Sequence, residues 1–588
     1  MRTSSAPCCL ESDGRPQAVR AFESALEGQS VPGTNLRGSA EGANWCFLLP
    51  HLELGRVLTL GAPSPLSLST LSRLGDDVLV WAKSRDHDGI RALVAKQGLA
   101  NVTSLAIERH RKLSLPNDAV DLVFVAQPRL ARSQLGERRA RAEIERVLRP
   151  DGLLYAELRS RVNRLHRDGG KEPSAARVGE CSALWIAPVW GEMRLAAPAG
   201  DRAAIQYMER RFLKPILRRQ VVKRPRQTFA RSLLMSRLLG GRALVCTGSD
   251  EPAAGPPDYV REIAVQAGAA VDGLRWALAA PGDYRSQKVL LVLFDDDGGA
   301  RSVVKITRDP GYNPRLENEW RALTLLEQQG IGSPRTRPSP LFLGHHAGLA
   351  VLGQTAVRGI PFTQCTQSRE AWQHARSVVE SLLELGATTS HRPEDPGDVV
   401  ALLRAALTRF DELYRPAQQT TAFLAEQVEA IADGGDGLRL VFQHGDPGPW
   451  NLLLTPEGQP VFLDWEAADP EGLPLWDLFH FLRSFGLSIP QRGRRDPLRC
   501  FADQMLATSE LNRVLVDATD RYCVATALSP RLVEPLFFLC WVHRAIKEAS
   551  RLPLDRLQSG RYLNILRVAI ERRDAPGLQR LFSVAATD

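Results

Sequence analysis

Residue types that can do acid–base and metal chemistry lie close together in the stretch FQHGDPGPWNLLL, Phe442 to Leu454. His444, Asp446 and Asn451 fall within eight residues, bracketed by Gly and Pro, and the stretch then runs into three leucines. A carboxylate can orient a hydroxyl or accept its proton, and an amide oxygen can ligate Mg²⁺. The apolar run PVFLD that follows ends in a second carboxylate, Asp464. A loop and a strand pair would therefore deliver two acids and an amide in order.

The spacing H-x-D-x-x-x-x-N of these residues resembles the catalytic loop of protein kinases. In kinases the Asp orients the attacking hydroxyl and the Asn holds a magnesium ion. This resemblance implies that Asp446 is the catalytic residue and that Asn451 and Asp464 are the magnesium ligands.

A predicted hairpin and helix precede this loop. The apolar runs KVLLVLF and RSVVKI flank DDDGGA, which is a hairpin turn signal. Leu316, Trp320, Leu323 and Leu326 follow at helical spacing, and Gly330 closes that helix. A strand pair that ends in lysine, followed by a helix that offers glutamate, is the arrangement that holds nucleotide phosphates in kinases.

The lysine of this arrangement is Lys305, inside the apolar run SVVKI. Only nine of the 75 basic residues are lysine, so a lysine here is a choice against the background. A compact ammonium can reach two phosphates from a strand where a planar guanidinium would not fit. The alternative is a lysine on a strand edge whose head reaches solvent.

HGDPGPWNLLL together with VFLDWEAADPEGLPLWDL resembles the aminoglycoside phosphotransferase and choline kinase family, over about residues 270–588. The metal acid lies in DWE, and no DFG or APE of protein kinases follows it. The resemblance implies an α+β bilobal protein-kinase-like fold, ATP and Mg²⁺ as cofactors, and a small-molecule hydroxyl as phosphate acceptor. Aminoglycosides, amino alcohols, sugars and glycan precursors all remain open as acceptors, and so does GTP as an alternative donor.

The same resemblance assigns the cofactor-binding residues. Lys305 clamps the phosphates and Glu319 is its ion-pair partner, preferred over Glu317 because the family places a leucine four residues after this acid. The nucleotide loop APGDYRSQK has one glycine, Gly282, so its phosphate contacts would come from backbone amides. Asp477, in PLWDLFHFL, is expected to cap a helix.

The N-terminal half alternates strand and helix signals. Four buried strands are predicted at Gly55 to Gly61, Asp76 to Ala82, Ala119 to Gln127 and Asp151 to Leu158. The stretches between them, such as HDGIRALVAKQG and RRARAEIERVLRP, have helical spacing with Pro or Gly stops. This alternation predicts an α/β doubly wound domain with a parallel sheet.

The strings RVLTLGAPSP, LPNDAVDLVFV and EIERVLRPDGLLYAEL, in this order, resemble a class I S-adenosylmethionine-dependent methyltransferase domain of the Rossmann type. That family needs a Gly-rich turn after the first strand and an acid at the end of the second. Here Pro63 and Pro65 follow Gly61, and the second strand runs on to Ala82 and Lys83. Because proline removes a backbone donor and flexibility, we expect a degenerate domain with a structural or partner-binding role. S-adenosylmethionine is not an expected cofactor.

These patterns predict four segments: a mobile tail over 1–44, the methyltransferase-like domain over 45–246, a Pro- and Gly-rich linker over 247–259 and the phosphotransferase domain over 260–588.

Composition sets the remaining limits. The apolar content of 44% and charged content of 24% are those of a globular protein, and no apolar run is long enough for a membrane span. The N-terminus has no apolar signal region, and the nine cysteines show neither a zinc spacing nor a disulfide framework. A reduced, cytoplasmic protein without a nucleic-acid partner is expected. The basic stretch from Arg210 to Arg231 is a solvated surface or a weak contact with an anionic surface.

Three functional hypotheses follow. The first is an ATP- and magnesium-dependent small-molecule kinase whose N-terminal domain does not methylate. The second is a non-enzymatic scaffold or regulatory protein with two decayed domains. The third is a bifunctional methyltransferase-kinase.

Overall fold

In the computed structural model, the structure describes residues 44–106, 113, 115–126, 138–158, 181–187, 193–213, 241–247, 255–282, 284–489 and 496–583. Residues 1–43 of the predicted tail, most of the stretch from Arg210 to Arg231, and residues 248–254 of the predicted linker lie outside this set. Asp258 and Tyr259, the last residues of that linker, begin a helix. The predicted domain limits stay predictions.

The described residues form two compact units. The sheet unit comprises 44–317 and 340–356, and the helical unit comprises 318–339 and 357–583. The division falls inside one helix, between Glu317 and Asn318.

Within the described residues, the sheet unit contains a 13-stranded sheet and five complete helices. The strands are β1 Arg56–Leu60, β2 Asp77–Ala82, β3 Val102–Ala106, β4 Val120–Val125, β5 Leu148–Leu158, β6 Cys181–Ala187, β7 Leu195–Pro198, β8 Gly241–Thr247, β9 Arg275–Ala279, β10 Val289–Phe294, β11 Ala300–Ile306, β12 Pro340–His346 and β13 Leu349–Thr355. The helices are α1 Pro65–Leu74, α2 His87–Gln97, α3 Arg138–Val147, α4 Arg202–Met208, α5 Asp258–Gln266 and the beginning of α6 Asn313–Gln328.

The strand order is β12-β13-β11-β10-β9-β7-β6-β8-β5-β4-β1-β2-β3. Strands β3, β2, β1, β4 and β5 pair in parallel, which confirms the predicted doubly wound sheet, and all four predicted strands form. β1 and β2 are buried along almost their whole length, because helices cover a parallel sheet on both faces. The predicted hairpin is confirmed as the antiparallel pair β10 and β11, with Gly298 at φ +80° in its turn.

One sheet joins the strands of the predicted methyltransferase-like domain to those of the predicted phosphotransferase domain. The joining pair is β7 with β9, which align antiparallel with Leu195 opposite Ala279 and Ala196 opposite Leu278. All four residues have no exposed surface. The backbone N–H and C=O groups of β7 that face β9 are therefore paired, so β7 is not an exposed edge strand.

The helical unit surrounds one apolar core. Its helices are the rest of α6, α7 Phe362–Cys365, α8 Ala371–Thr389, α9 Pro396–Tyr414, α10 Gln418–Asp433, α11 Trp476–Ser488, α12 Pro497–Phe501, α13 Glu510–Thr526, α14 Val533–Ala549, α15 Arg561–Glu571 and α16 Pro576–Ser583. Its strands are β14 Ile360–Pro361, β15 Val441–Gln443, β16 Leu452–Leu454, β17 Pro460–Phe462 and β18 Asp469–Gly472. Helices α11 and α14 run through the core with most residues buried, which holds the polar groups they carry in fixed positions.

Two further predictions can be compared with this fold. No helix in the described ranges is both long and apolar enough to cross a membrane. Cys246 on β8 is disulfide-bonded, so the expectation of fully reduced cysteines is wrong at this position.

Candidate active site

The loop that carries the predicted catalytic residue begins with a glycine that no other residue can replace without strain. Gly445 follows β15 and has φ +77°, in the left-handed region. A Cβ atom added there would lie far inside contact distance of the Ala467 carbonyl oxygen. The chain can therefore pass close to the 3₁₀ turn Trp465–Ala467 only with glycine at this position.

The Asp477 side chain forms hydrogen bonds to the backbone of the same loop. It lies in the first turn of α11, but the helix cap is Leu475, and the Asp477 carboxylate instead accepts hydrogen bonds from the backbone N–H groups of His444 (2.6 Å) and Gly445 (3.1 Å). The expectation that Asp477 caps its helix is wrong. Its side chain satisfies two loop amides that would otherwise lack acceptors.

His444 has a structural role and a defined tautomer. The ring is fully buried, and its Nδ1 accepts the backbone N–H of Asp446 at 3.2 Å. Nε2 must then carry the proton that it donates to the Leu463 carbonyl at 3.0 Å. Burial lowers the pKa of His444, so the ring stays neutral. It links the residue before the predicted metal acid to the predicted catalytic residue.

The Asp446 carboxylate is surrounded by donors. His480 Nε2 lies 2.9 Å and Arg544 Nη1 3.5 Å from Oδ1, while Trp450 Nε1 and Asn451 Nδ2 each donate to Oδ2 at 3.2 Å. The side chain is 32% exposed, so it remains open on one side. The carboxylate is held in one orientation and still faces solvent.

These neighbours keep Asp446 ionised. Burial alone would raise the pKa of Asp446, but the His480 hydrogen bond and the charges of Arg544 and Lys547 outweigh it and hold the pKa well below its usual range. His480 is completely buried, and burial together with the charge of Arg544 lowers its pKa to about 3. His480 therefore acts as a neutral N–H donor to a negatively charged carboxylate.

The two predicted metal ligands are coupled through the backbone. Leu463 N donates to the Asn451 carbonyl at 2.8 Å, as part of the register in which β16 and β17 pair. The next residue, Asp464, has the left-handed φ +69° that is uncommon for a non-glycine residue and is found at functional sites. Asn451 Nδ2 is used on Asp446, which leaves its Oδ1 for a ligand.

One carboxylate and one amide oxygen suit Mg²⁺, which binds through one or two protein ligands together with substrate phosphates. A site made by protein ligands alone is a different case: the described residues contain no group of three or more His, Cys, Asp or Glu that could hold a metal. The residues present fit a magnesium ion that arrives with phosphates.

Helix α6 contacts the turn that follows the predicted metal ligand Asp464. Glu319 has no exposed surface, and its Oε1 accepts the backbone N–H of Trp465 at 3.3 Å. Asn318 Nδ2 donates to the carbonyls of Glu466 (3.1 Å) and Ala468 (2.8 Å). The helix therefore positions the turn that follows Asp464, while the role of Glu319 toward Lys305 stays a prediction.

The predicted nucleotide-binding residues lie in the sheet unit. Lys305 is on β11, between β10 and β13, and is 6% exposed, which does not fit a lysine on a sheet edge. Gly282 is in the loop between β9 and β10, where a Cβ atom would clash with the Gln287 side chain. Their function in binding phosphates stays a prediction.

The methyltransferase-like part has the altered turn that its sequence predicts. After β1, Gly61 has φ +92°, and Ser64 then caps α1, which starts at Pro65. β2 ends at Ala82 and is followed by Lys83, where the resembling family has an acid. Cofactor binding at this turn is not expected from these residues.

Four residues that contact the predicted catalytic loop or the turn after Asp464 were not predicted: Trp450, His480, Arg544 and Asn318. Trp450 lies inside the HGDPGPWN motif. Arg544 closely follows the apolar run LFFLCWV, and a charge next to such a run is a usable signal because charged residues are seldom buried without a partner. His480 and Asn318 carry no local signal, because their partners are far away in the chain.

Comparison with known proteins finds similarity to one family in the C-terminal half of the chain. Residues 278–503 match the model of the phosphotransferase enzyme family. The match confirms the predicted resemblance and the kinase-like fold class of the C-terminal half. Residues 278–503 are thus similar to this phosphotransferase family.

Among solved structures, an aminoglycoside phosphotransferase, APH(3'')-Id from Streptomyces rimosus, is 18% identical, covers 44% of this chain and 90% of its own, and has a TM-score of 0.29. The choline kinase LicA from Streptococcus pneumoniae is 14% identical over 50% of this chain and 90% of its own, with a TM-score of 0.31. The bifunctional kinase-methyltransferase WbdD is 10% identical over 87% of this chain and 93% of its own, with a TM-score of 0.22. No curated protein gives a significant match.

Proposed function

We propose that this protein transfers the γ-phosphoryl group of ATP to a hydroxyl of a small molecule, with Mg²⁺ as cofactor. The observation that carries the proposal is the Asp446 carboxylate, which is kept ionised by His480 and Arg544 and is open on one side. A carboxylate with a perturbed pKa that is held by specific donors and open to solvent is typical of a functional site.

In this reaction the acceptor hydroxyl oxygen attacks the γ-phosphorus and forms a new P–O bond. The bond to the β,γ-bridging oxygen breaks, and ADP leaves with that electron pair. The hydroxyl proton passes to Asp446. Because the pKa of Asp446 is well below its usual range, this carboxylate is a weak base that mainly orients the hydroxyl and takes the proton late.

Asn451 and Asp464 would hold the magnesium ion. When bound, the ion supplies positive charge to the phosphate oxygens. Lys305 is the proposed phosphate clamp, Glu319 its proposed partner, and Gly282 part of the proposed nucleotide loop. Because the proposed reaction consumes ATP, we propose the cytoplasmic location that the sequence predicts.

Asp446→Ala tests this function. We expect the variant to lose phosphate transfer, measured as ADP release with a panel of hydroxyl acceptors, while it keeps ATP binding measured by thermal shift with Mg²⁺. Asp436→Ala, at an exposed acid in the turn before β15, is the matched control and should keep wild-type transfer. Wild-type transfer by Asp446→Ala would refute the assignment. No thermal shift with ATP in the wild type would favour a scaffold.

The methyltransferase-like part is proposed not to methylate. Pro63 and Pro65 after Gly61 and the missing acid near Lys83 support this proposal. Calorimetric titration of the whole protein with S-adenosylmethionine tests it, and micromolar binding would support the bifunctional alternative instead.

A further inference from the structure

A buried arginine close to the catalytic loop has two guanidinium nitrogens without a hydrogen-bond acceptor among the described residues. Arg483, on α11, is 3% exposed, and within the described part of the chain its Nε and Nη2 atoms have no hydrogen-bond partner. No carboxylate of the described residues lies within ion-pair distance of it. Its guanidinium carbon lies over the face of the Tyr562 ring, 5.2 Å from the ring centroid. An unpaired buried charge is unfavourable, so a site that keeps one normally has a use for it.

Arg483 is near the proposed phosphate-transfer group. His480 links them, because it donates to Asp446 and lies one turn before Arg483 on the same helix. The His480 ring is 6.2 Å from the Tyr562 ring and 6.0 Å from the Trp450 ring. Arginine, tyrosine and tryptophan therefore border one histidine that touches the catalytic carboxylate.

Three other charged groups near Arg483 are already engaged. Arg544 contacts Asp446, and Asp477 accepts the loop amides. Glu548 accepts the backbone N–H of Tyr562 at 3.0 Å. The buried donors of Arg483 are therefore open to a ligand, and a guanidinium binds carboxylates and phosphates through two parallel hydrogen bonds.

Residues next to Arg483 and next to Asp446 are exposed to solvent. Arg561, at the start of α15, is exposed and Tyr562 is partly exposed. Trp450 is 52% exposed, which is unusual for a large aromatic side chain, while its indole N–H is held on Asp446. An exposed aromatic face beside a catalytic carboxylate suits the apolar face of a bound acceptor.

We propose that the acceptor molecule carries an anionic group, a carboxylate or a phosphate, which binds Arg483 while its hydroxyl is oriented by Asp446 and its body lies against Trp450. This inference rests on the proposed function and specifies its substrate class. A cationic acceptor, such as an amino alcohol, would place its ammonium group next to two buried guanidinium groups and is disfavoured by like-charge repulsion.

Four acceptors of similar size test the charge preference: glycerol, 3-amino-1,2-propanediol, glycerate and glycerol 3-phosphate. ADP release is measured for each with saturating ATP and Mg²⁺. We expect kcat/KM for glycerate or glycerol 3-phosphate to exceed that for the neutral and cationic compounds at least about tenfold. The two anionic compounds distinguish a carboxylate site from a phosphate site.

Arg483→Met should bring the ratio of kcat/KM for the anionic and neutral acceptors close to one. Arg483→Lys, which keeps the charge but loses the fork, should keep an intermediate ratio and guards against a folding defect in the methionine variant. Arg513→Met, at an exposed arginine on α13, is the matched control and should keep the wild-type ratio.

Binding of the same compounds to the ADP-saturated protein, measured by calorimetry, separates this inference from the proposed function. Transfer only to the neutral or cationic compound would refute the anionic acceptor and leave the kinase function intact. Arg483-dependent binding of an anionic compound without transfer would support the anion site and refute the kinase function. An anionic preference that Arg483→Met does not change, or no binding and no transfer of any anionic compound, would overturn the inference.

Discussion

Lowering the pH should destabilise the helical unit through His480. Its ring is completely buried against the Asp446 carboxylate, the Arg544 guanidinium and the Tyr562 ring, with Arg483 on its own helix. Burial first, and then the charge of Arg544, lower its pKa from 6.5 to about 3. The unfolded chain therefore binds a proton that the folded protein excludes, and stability falls as the pH drops through 6.5 toward the folded value.

At pH 5 the unfolded histidine is almost fully protonated and the folded one is not. The difference of about 1.5 pH units from the unfolded pKa corresponds to a loss of about 2 kcal/mol in the free energy of unfolding. Asp446 does not offset this loss, because its pKa is well below its usual range and it stays ionised at pH 5.

Urea unfolding at pH 8 and at pH 5 measures the effect. His480→Gln keeps an N–H donor for Asp446 but cannot be protonated, so it should lose about 2 kcal/mol less than the wild type between the two pH values. The buried His444 and His543, whose pKa values are also lowered, remain in both proteins and cancel in this comparison. His391→Gln, at an exposed histidine, should behave as the wild type. Equal pH-dependent losses in His480→Gln and the wild type would refute the reasoning.

Three further predictions concern the predicted metal ligands and the loop that begins at Gly445. Asp464→Asn should lower phosphate transfer at least about a hundredfold, whereas Asn451→Asp should keep partial activity at raised Mg²⁺, as initial rates against magnesium under saturating ATP would show; near-normal rates in Asp464→Asn would contradict the metal assignment. Asp477→Ala leaves the backbone N–H groups of His444 and Gly445 without their acceptor and should reduce the free energy of unfolding by about 2–4 kcal/mol, with a smaller loss in Asp477→Asn. Gly445→Ala should destabilise by about 1–3 kcal/mol through its positive φ and the nearby Ala467 carbonyl, and an unchanged urea midpoint would show that the loop can move aside.

Local patterns carried most of the successful predictions. Apolar runs between turn residues located β1, β2, β4 and β5, because a strand buried on both faces must be apolar throughout. The turn sequence DDDGGA located the β10–β11 hairpin, since few residues accept the positive φ that Gly298 adopts. The order of His444, Asp446, Asn451 and Asp464 indicated one loop and one strand pair because these residues are close in the sequence.

Asp477 is a residue whose role local sequence patterns did not predict. An acid in the first turn of a helix predicts a cap, but the loop amides of His444 and Gly445, more than 30 residues earlier, take both of its oxygens. Two residues that bind Asp446 are also distant in the sequence: His480 is 34 and Arg544 98 residues away along the chain. Their approach depends on how helices α11 and α14 pack in the core.

The sequence alone determined the elements and the identity of the catalytic candidates, because periodicity, turn chemistry and motif spacing act over a few residues. Only the tertiary structure decided the charge state around Asp446, the two unpaired guanidinium atoms of Arg483, and the pairing of β7 with β9 in one sheet. Burial and charge interactions depend on distances in space between residues far apart in the chain, and local sequence patterns do not encode those distances.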